Sequence, residues 1–455
     1  MFFGNLSKKK KRQTVSISRV IALTFLTLIL LGAMLLNLPI SSRNGRSAGI
    51  MLSLFTATSA TCVTGLTLAD TWSQWTSFGQ TVILLMIEIG GLGFMSAASL
   101  AYFSLRRRIS FQQQLVMAES IGVQNMGDVV ENQRQLLIRA FLVEGIGALL
   151  LTGCFLREYS FPQALKLGVF HSVSAFCNAG FDILGFRGPG TSLLSYQQDF
   201  PICLILGVLI ILGGLGFLVW DDILRNRQPS RWSVYTRLVI LTTGALLVAG
   251  TALICILEWS NPQTLGPFSV PGKILAAFFQ AVTLRTAGFA AIDQGALTPA
   301  AKGASLFFML IGGSSGSTAG GLKTVTFLVL VLFLWNRMRG HQSVSIFHRS
   351  ISNDHVLNAI MIFILMISLA FFSAVFISGT SPVGFTDALY ETVSAIGTVG
   401  LSAGGTSRVS IPGQILLMLL MYFGRVGVLT ISMGFLKKKP AGEKFRYAST
   451  DLLIG

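Results

Sequence analysis

The stretch SAIGTVGL at residues 394–401 closes a short apolar segment with a glycine and then a large apolar residue, and the chain repeats this pattern three more times. TSATCVTGL at 58–66, SAFCNAGF at 174–181 and TLRTAGF at 283–289 place the glycine at Gly65, Gly180 and Gly288, followed by Leu66, Phe181 and Phe289. From Gly65 to Gly400 the spacings are 115, 108 and 112 residues, close to a quarter of the 455-residue chain. So regular a period marks an internal repeat.

Working outward, each short segment lies between two long apolar runs. The long runs fall near 17–40, 79–104, 136–157, 201–224, 236–258, 303–335, 355–379 and 412–436. Each meets the length of about 20 residues that a spanning helix needs. The short ones, near 50–61, 166–176, 272–284 and 383–396, are too short to cross and read as re-entrant segments. The pattern predicts an all-α membrane protein: four membrane–pore-loop–membrane repeats in a pseudo-fourfold arrangement around one ion pore. The expected divisions are a basic head (1–16), repeats at 17–105, 106–224, 225–339 and 340–436, and a tail (437–455).

Composition agrees. The chain is 52% hydrophobic and 11% charged, against about 25% charged in soluble domains, and its mean hydropathy is +0.69. An ordinary soluble enzyme and a disordered chain are both excluded. The five cysteines show no metal-like spacing and no disulfide framework. The first apolar run lacks a cleavage pattern and is expected to stay as an anchor. Of the 34 Lys and Arg, 23 fall on the side of the N-terminus, nine on the other, and Lys323 and Arg425 inside spans. By the positive-inside rule both termini are cytoplasmic and the short segments enter from outside. The net charge of +16 therefore marks a membrane face rather than a nucleic-acid surface.

Four loops meeting on an axis at membrane depth can offer their carbonyl oxygens to a monovalent cation in place of its water shell. Glycine permits the backbone angles that turn carbonyls inward. The partly negative C-terminal ends of the short helices favour a cation there. The expected ion-binding residues are Val63, Thr64 and Gly65; Asn178, Ala179 and Gly180; Thr286, Ala287 and Gly288; and Thr398, Val399 and Gly400, with potassium on the carbonyls of the glycine ring. Only the fourth loop keeps the Thr-Val-Gly of the TVGYG potassium filter, so fewer well-defined sites are expected. Ser59, Ser174, Thr283 and Ser394 stand where they can hold the loops by their backbone. Asp70, Asp182, Asp293, Asp387 and Glu391 are either cation-concentrating charges at the mouth or solvated loop residues.

The second long run of each repeat carries small residues: IGGLGF at 89–94, LGGLGF at 212–217, Gly312-Gly313-Ser314-Ser315 and Gly424-Arg425-Val426-Gly427. In the first two repeats these predict close helix packing beneath the loops. In the third, GGSSGSTAGG (312–321) breaks the helix. Non-helical backbone at that depth belongs beside a water-filled cavity, which predicts a gate made of Gly312, Gly313, Ser314, Ser315, Gly316, Ser317, Thr318, Gly320 and Gly321 with Lys323 and Arg425. A phosphate loop is rejected, because the spacing is one residue too long and no strand precedes it. Arg425 sits mid-span, where a charge is functional by default. Glu88, Glu144 and Lys323 are expected to form internal ion pairs. No catalytic constellation is visible, so the chain is not read as an enzyme.

The four single-glycine loops resemble those of the Trk/Ktr/HKT superfamily of potassium transporters, over about residues 17–436. Eight spans and a short head are more similar to its Ktr branch (KtrB-type membrane subunits) than to longer Trk-type chains. The resemblance implies that Gly65, Gly180, Gly288 and Gly400 are filter glycines. It also implies a gating loop at 312–321, with Arg425 in the pore beneath the filter. In plant relatives a serine at the first of these glycines accompanies sodium selectivity, so Gly65 points to potassium. Further implications are a bacterial plasma-membrane location, a homodimer with one pore per protomer, surrounding membrane lipid, and a cytoplasmic KtrA-like ring. That ring, not this chain, would bind ATP or ADP; some relatives also use sodium as an activator. The alternatives are a Trk-type or sodium-permeable transporter of the same superfamily, or an ion-coupled secondary transporter, which would show inverted repeats instead.

Overall fold

The computed structural model describes residues 17–93, 129–341, 343–347 and 349–427. The basic head, the tail and the ends of the expected spans 79–104 and 412–436 lie outside these residues. The first repeat holds α1 (Ile17–Leu36), α2 (Ile50–Thr61) and α3 (Ser77–Leu92). The second holds α4 (Val129–Phe155), α5 (Phe161–Phe176), α6 (Phe200–Leu215) and α7 (Phe217–Arg225). The third holds α8 (Val234–Glu258), α9 (Val270–Thr283), α10 (Pro299–Leu310) and α11 (Thr324–Met338). The fourth holds α12 (Asn353–Thr380), α13 (Phe385–Gly397) and α14 (Ile411–Val426). A hairpin between α11 and α12 pairs β1 (Ser345–Ile346) with β2 (Arg349–Ser350) in antiparallel register.

The repeat is built from local chemistry. In every copy a capping side chain starts the second helix: Thr76, Asp199, Thr298 and Ser410 each accept a backbone N–H from the first turn. The first helices α1, α4, α8 and α12 each carry an apolar stretch long enough to cross a membrane. Large apolar side chains such as Leu149, Val248 and Phe372 stand exposed on them, while Ser59, Ser174, Thr283 and Ser394 at the centre are fully buried. An apolar exterior around a polar centre fits a protein surrounded by lipid. Within each repeat the short helix packs on the first helix, and the second helix also contacts the short helix of the next repeat: α3 with α5, α6 with α9, α10 with α13, and α14 back to α2. The circle closes.

The second helices differ from the continuous spans expected at 201–224. Between α6 and α7 the axis turns by 93° at Gly216, whose φ is +85°. The turn frees the carbonyls of Gly213, Gly214 and Leu215. They accept hydrogen bonds from Thr318 N, Ser314 N and Ser314 Oγ respectively, so the break is held by the third repeat. α3 and α14 stop at glycines of similar conformation, Gly93 (φ +85°) and Gly427 (φ +91°). The run 303–335 is broken, as its glycines predict, into α10, an irregular segment and α11.

Small residues in the second helices let them approach the ends of the short ones. A Cβ on Gly90 would lie 2.0 Å from the Thr61 carbonyl oxygen, on Gly213 1.9 Å from that of Phe176, and on Gly424 2.2 Å from that of Ile396. Gly213→Val is therefore expected to cost more than the roughly 1–3 kcal/mol of ordinary overpacking, because the obstacle is backbone. The check is a lower unfolding temperature of the detergent-solubilised protein, with an exposed control such as Val248→Ala unchanged.

Candidate functional site

Each short helix ends in the same turn. The residue two before the glycine has positive φ in all four copies: Val63 (+54°), Asn178 (+58°), Thr286 (+67°) and Thr398 (+50°). The glycines follow at +96°, +69°, +82° and +93°. Three of the four earlier residues are β-branched, for which this conformation is strained by about 1–3 kcal/mol. Strain repeated at one register must be held by its surroundings.

The bonds that hold it are visible. The residue before each glycine donates its N–H back to the short helix: Thr64 to Ser59 O (2.8 Å), Ala179 to Ser174 O (2.7 Å), Ala287 to Thr283 O (3.0 Å) and Val399 to Ser394 O (2.8 Å). The expected Ser/Thr set then divides two and two. Ser59 Oγ and Ser394 Oγ accept from the glycine N–H of Gly65 (3.1 Å) and Gly400 (3.0 Å). Ser174 Oγ and Thr283 Oγ1 donate to the carbonyls of Phe181 (2.7 Å) and Phe289 (2.8 Å). With these N–H groups turned back on the helices, no described residue donates a hydrogen bond to the carbonyl oxygens of Val63 to Gly65, Asn178 to Gly180, Thr286 to Gly288 or Thr398 to Gly400.

The four loops form a ring. A Cβ on Gly65 would meet Ala179 O at 2.5 Å, on Gly180 Ala287 O at 2.6 Å, on Gly288 Val399 O at 2.7 Å, and on Gly400 Thr64 O at 2.1 Å. Each glycine thus faces the carbonyl of the neighbouring loop, in chain order and back to the start. Glycine is required twice over, by conformation and by space.

Beside this ring lies the segment between α10 and α11. Ile311 bridges Leu322, and Thr324 Oγ1 donates to the Gly312 carbonyl at 3.1 Å. Thr318 Oγ1 donates to Phe176 O (3.0 Å), and Ser317 Oγ to Ser314 O (2.6 Å). Gly216 meets Ser314, Ser315 and Gly316, while Phe217 N donates to Gly316 O at 3.0 Å. A Cβ on Gly313 would meet Ala319 at 2.7 Å, on Gly320 the Thr398 hydroxyl at 2.2 Å, and on Gly321 Gly397 O at 2.9 Å. Arg425 Nη1 donates to Thr318 O, and Nη2 to Gly90 O and, at 2.8 Å, to Gly91 O. One guanidinium on α14 therefore ties this segment to the end of α3. Lys323 Nζ donates to Ala319 O (2.7 Å).

Other placements depart from expectation. Among the described residues Glu88, Glu144 and Lys323 form no ion pair. Glu88 and Glu144 gather with Cys177, their ligand atoms within 4.8 Å of one another. Glu391 is no mouth charge: it is fully buried and accepts from Ser402 Oγ (2.6 Å), Ala403 N (3.1 Å) and Gly405 N (3.2 Å). Asp387 pairs with Lys302 at 3.2 Å, and Asp70 caps Ser73 N at 2.8 Å. Arg285, which the sequence reading gives no role, stands inside TLRTAGF. Its Nη2 lies 3.3 Å from both Gly312 O and Thr324 Oγ1, at the base of the irregular segment. An arginine in an apolar stretch was the available signal.

A circle of four repeats with an apolar exterior, whose central loop carbonyls have no donor among the described residues, has the build of a membrane transport protein. The chain belongs to the TrkH family of cation transport proteins, whose model matches residues 6–447. It is 37% identical over 455 residues to the potassium/sodium uptake protein NtpJ of Enterococcus hirae, covering 99% of this chain and 100% of that one. It is 36% identical over 439 residues to the Ktr system potassium uptake protein B of Bacillus subtilis, covering 96% of each. The crystal structure of the potassium transporter TrkH from Vibrio parahaemolyticus shares the fold, with TM-score 0.72 and 17% identity over 93% of this chain and 86% of that one.

Removing the Ser59 hydroxyl leaves a buried N–H unpaired, which costs about 1–3 kcal/mol. Ser59→Ala is expected to lower the unfolding temperature in detergent. Ser59→Thr, which keeps an acceptor, is expected to retain most of the stability; equal losses in both would locate the effect in packing.

Proposed function

We infer that the chain conducts potassium into the cell through the ring of four loops, as a channel-like uptake subunit of the Ktr type. The observation that carries this reading is the ring itself: carbonyls without hydrogen-bond donors among the described residues, at membrane depth, in four copies that face one another head to tail. Such oxygens suit a dehydrated monovalent cation. Val63 to Gly65, Asn178 to Gly180, Thr286 to Gly288 and Thr398 to Gly400 then line the filter, with the four glycines as its best site. Passage inward is downhill in voltage by about 2.3 kcal/mol per 100 mV.

Residues 312–321 act in this reading as the gate, with Lys323, and Arg425 is its latch. The latch hydrogen bonds run to backbone carbonyls of two repeats, so moving the segment aside requires breaking them. At about 1.5–3 kcal/mol for each bond to a charged group, they set a barrier that a regulatory partner can lower. The relatives named as Ktr system uptake proteins support such a partner: a cytoplasmic KtrA-like ring that binds ATP or ADP, beneath a homodimer. The excess of basic residues on the N-terminal side supports both termini facing the cytoplasm. A sodium-permeable variant of the same pore is the second reading, favoured by the potassium/sodium uptake named for the Enterococcus relative, and sodium as an activator belongs with it. Gly65 argues for potassium.

Growth of a potassium-uptake-deficient host on low potassium tests the assignment, with the regulatory partner supplied. Wild type is expected to restore growth, and failure to do so would overturn the reading. Gly65→Ser is expected to lower the potassium-to-sodium uptake ratio several-fold, since a side chain there meets Ala179 O; an unchanged ratio would remove the glycine ring from selectivity. Arg425→Ala is expected to raise basal flux several-fold and weaken its regulation, measured as rubidium uptake into proteoliposomes.

A further inference from the structure

Away from the ring, the third and fourth repeats leave a cavity of about 460 Å³ between α8, α11, α12 and the hairpin. Its walls are largely apolar, with Leu238, Leu328, Leu332 and Ile362 among them. Arg349 and His355, both exposed, stand at its rim, and no carboxylate is among the residues lining it. One side is formed by Ser315 of the irregular segment, whose carbonyl accepts a hydrogen bond from Tyr235 Oη at 3.0 Å.

We propose that this cavity takes one acyl chain of an anionic phospholipid, with the phosphate at Arg349 and His355, and that the bound chain braces Ser315. Three observations meet here. The wall is apolar in a part of the molecule that the proposed orientation places in lipid, where burying methylenes favours an acyl chain. The rim is basic, and basic residues beside a membrane attract anionic lipid. The volume falls within the roughly 300–1,000 Å³ of ligand sites. The lipid comes from the leaflet on the hairpin side, which is the cytoplasmic one in the proposed orientation. Withdrawal of the segment from the pore needs room, and an empty cavity beside Ser315 offers it, whereas a filled one resists. The bracing rests on the gating role given to 312–321; the binding does not.

The test uses the full chain, purified and reconstituted in phosphatidylethanolamine vesicles with or without phosphatidylglycerol. Native mass spectrometry counts retained phosphatidylglycerol, and a photoreactive phosphatidylglycerol maps its position. Wild type is expected to label on α11 and α12. Arg349→Gln, on the exposed hairpin, is expected to retain roughly tenfold less, the effect of losing one charge-assisted bond. Ala359→Trp, which fills the cavity, is expected to abolish labelling there. Equal retention in wild type and both variants would overturn the proposal. So would a photoreactive side chain at Leu328 that crosslinks to polypeptide instead of lipid. For the bracing, rubidium flux is expected to rise several-fold in Arg349→Gln and in wild type without phosphatidylglycerol; flux independent of the lipid would overturn it. Lack of flux in every sample, with labelling intact, would instead count against the transport reading.

Discussion

Everything in this molecule depends on where backbone carbonyls go when water is absent. A carbonyl held at membrane depth must find a donor, water in a cavity, or a cation. The four short helices end in turns that send their N–H groups back to Ser59, Ser174, Thr283 and Ser394 and leave the loop carbonyls without protein donors among the described residues. That arrangement is stable only if something else meets those oxygens, and the head-to-tail ring gathers four copies of them in one place.

The same constraint shapes the helices beneath. A helix that bends at Gly216 exposes three carbonyls, and the irregular segment of the third repeat supplies donors for them through Ser314 and Thr318. The carbonyls of Thr318, Gly90 and Gly91 are met in turn by Arg425. Broken elements from different repeats thus satisfy one another, and each break is tolerable only because the others exist.

The repeat, the ring glycines and the break at 312–321 were legible in the residues, because glycine spacing and apolar length report directly on what a membrane allows. The positive φ of Val63, Thr286 and Thr398 was not, since valine and threonine carry no sign of a left-handed turn; the strain is imposed by the helix end and the neighbouring loop. The bend at Gly216 was hidden inside an apolar run that reads as one span. Glu391 reads from sequence as a mouth or solvated loop charge, because its hydrogen-bond donors, the backbone N–H groups of Ala403 and Gly405, leave no trace in side-chain chemistry. Arg285 lay in plain view, but its target, the Gly312 carbonyl, is defined only by the fold.

By itself, then, the sequence determined the class of the protein: a lipid-embedded helical chain, four units of one kind, each with a glycine at the end of a short helix. Those properties follow from hydropathy, length and the conformational range of single residues. The tertiary structure alone decided that Gly400 faces Thr64 O, that Arg425 reaches from the last repeat to the first, and that a helix yields at Gly216. Such contacts join residues from about a hundred to more than three hundred positions apart, and only the closing of the circle brings them within reach.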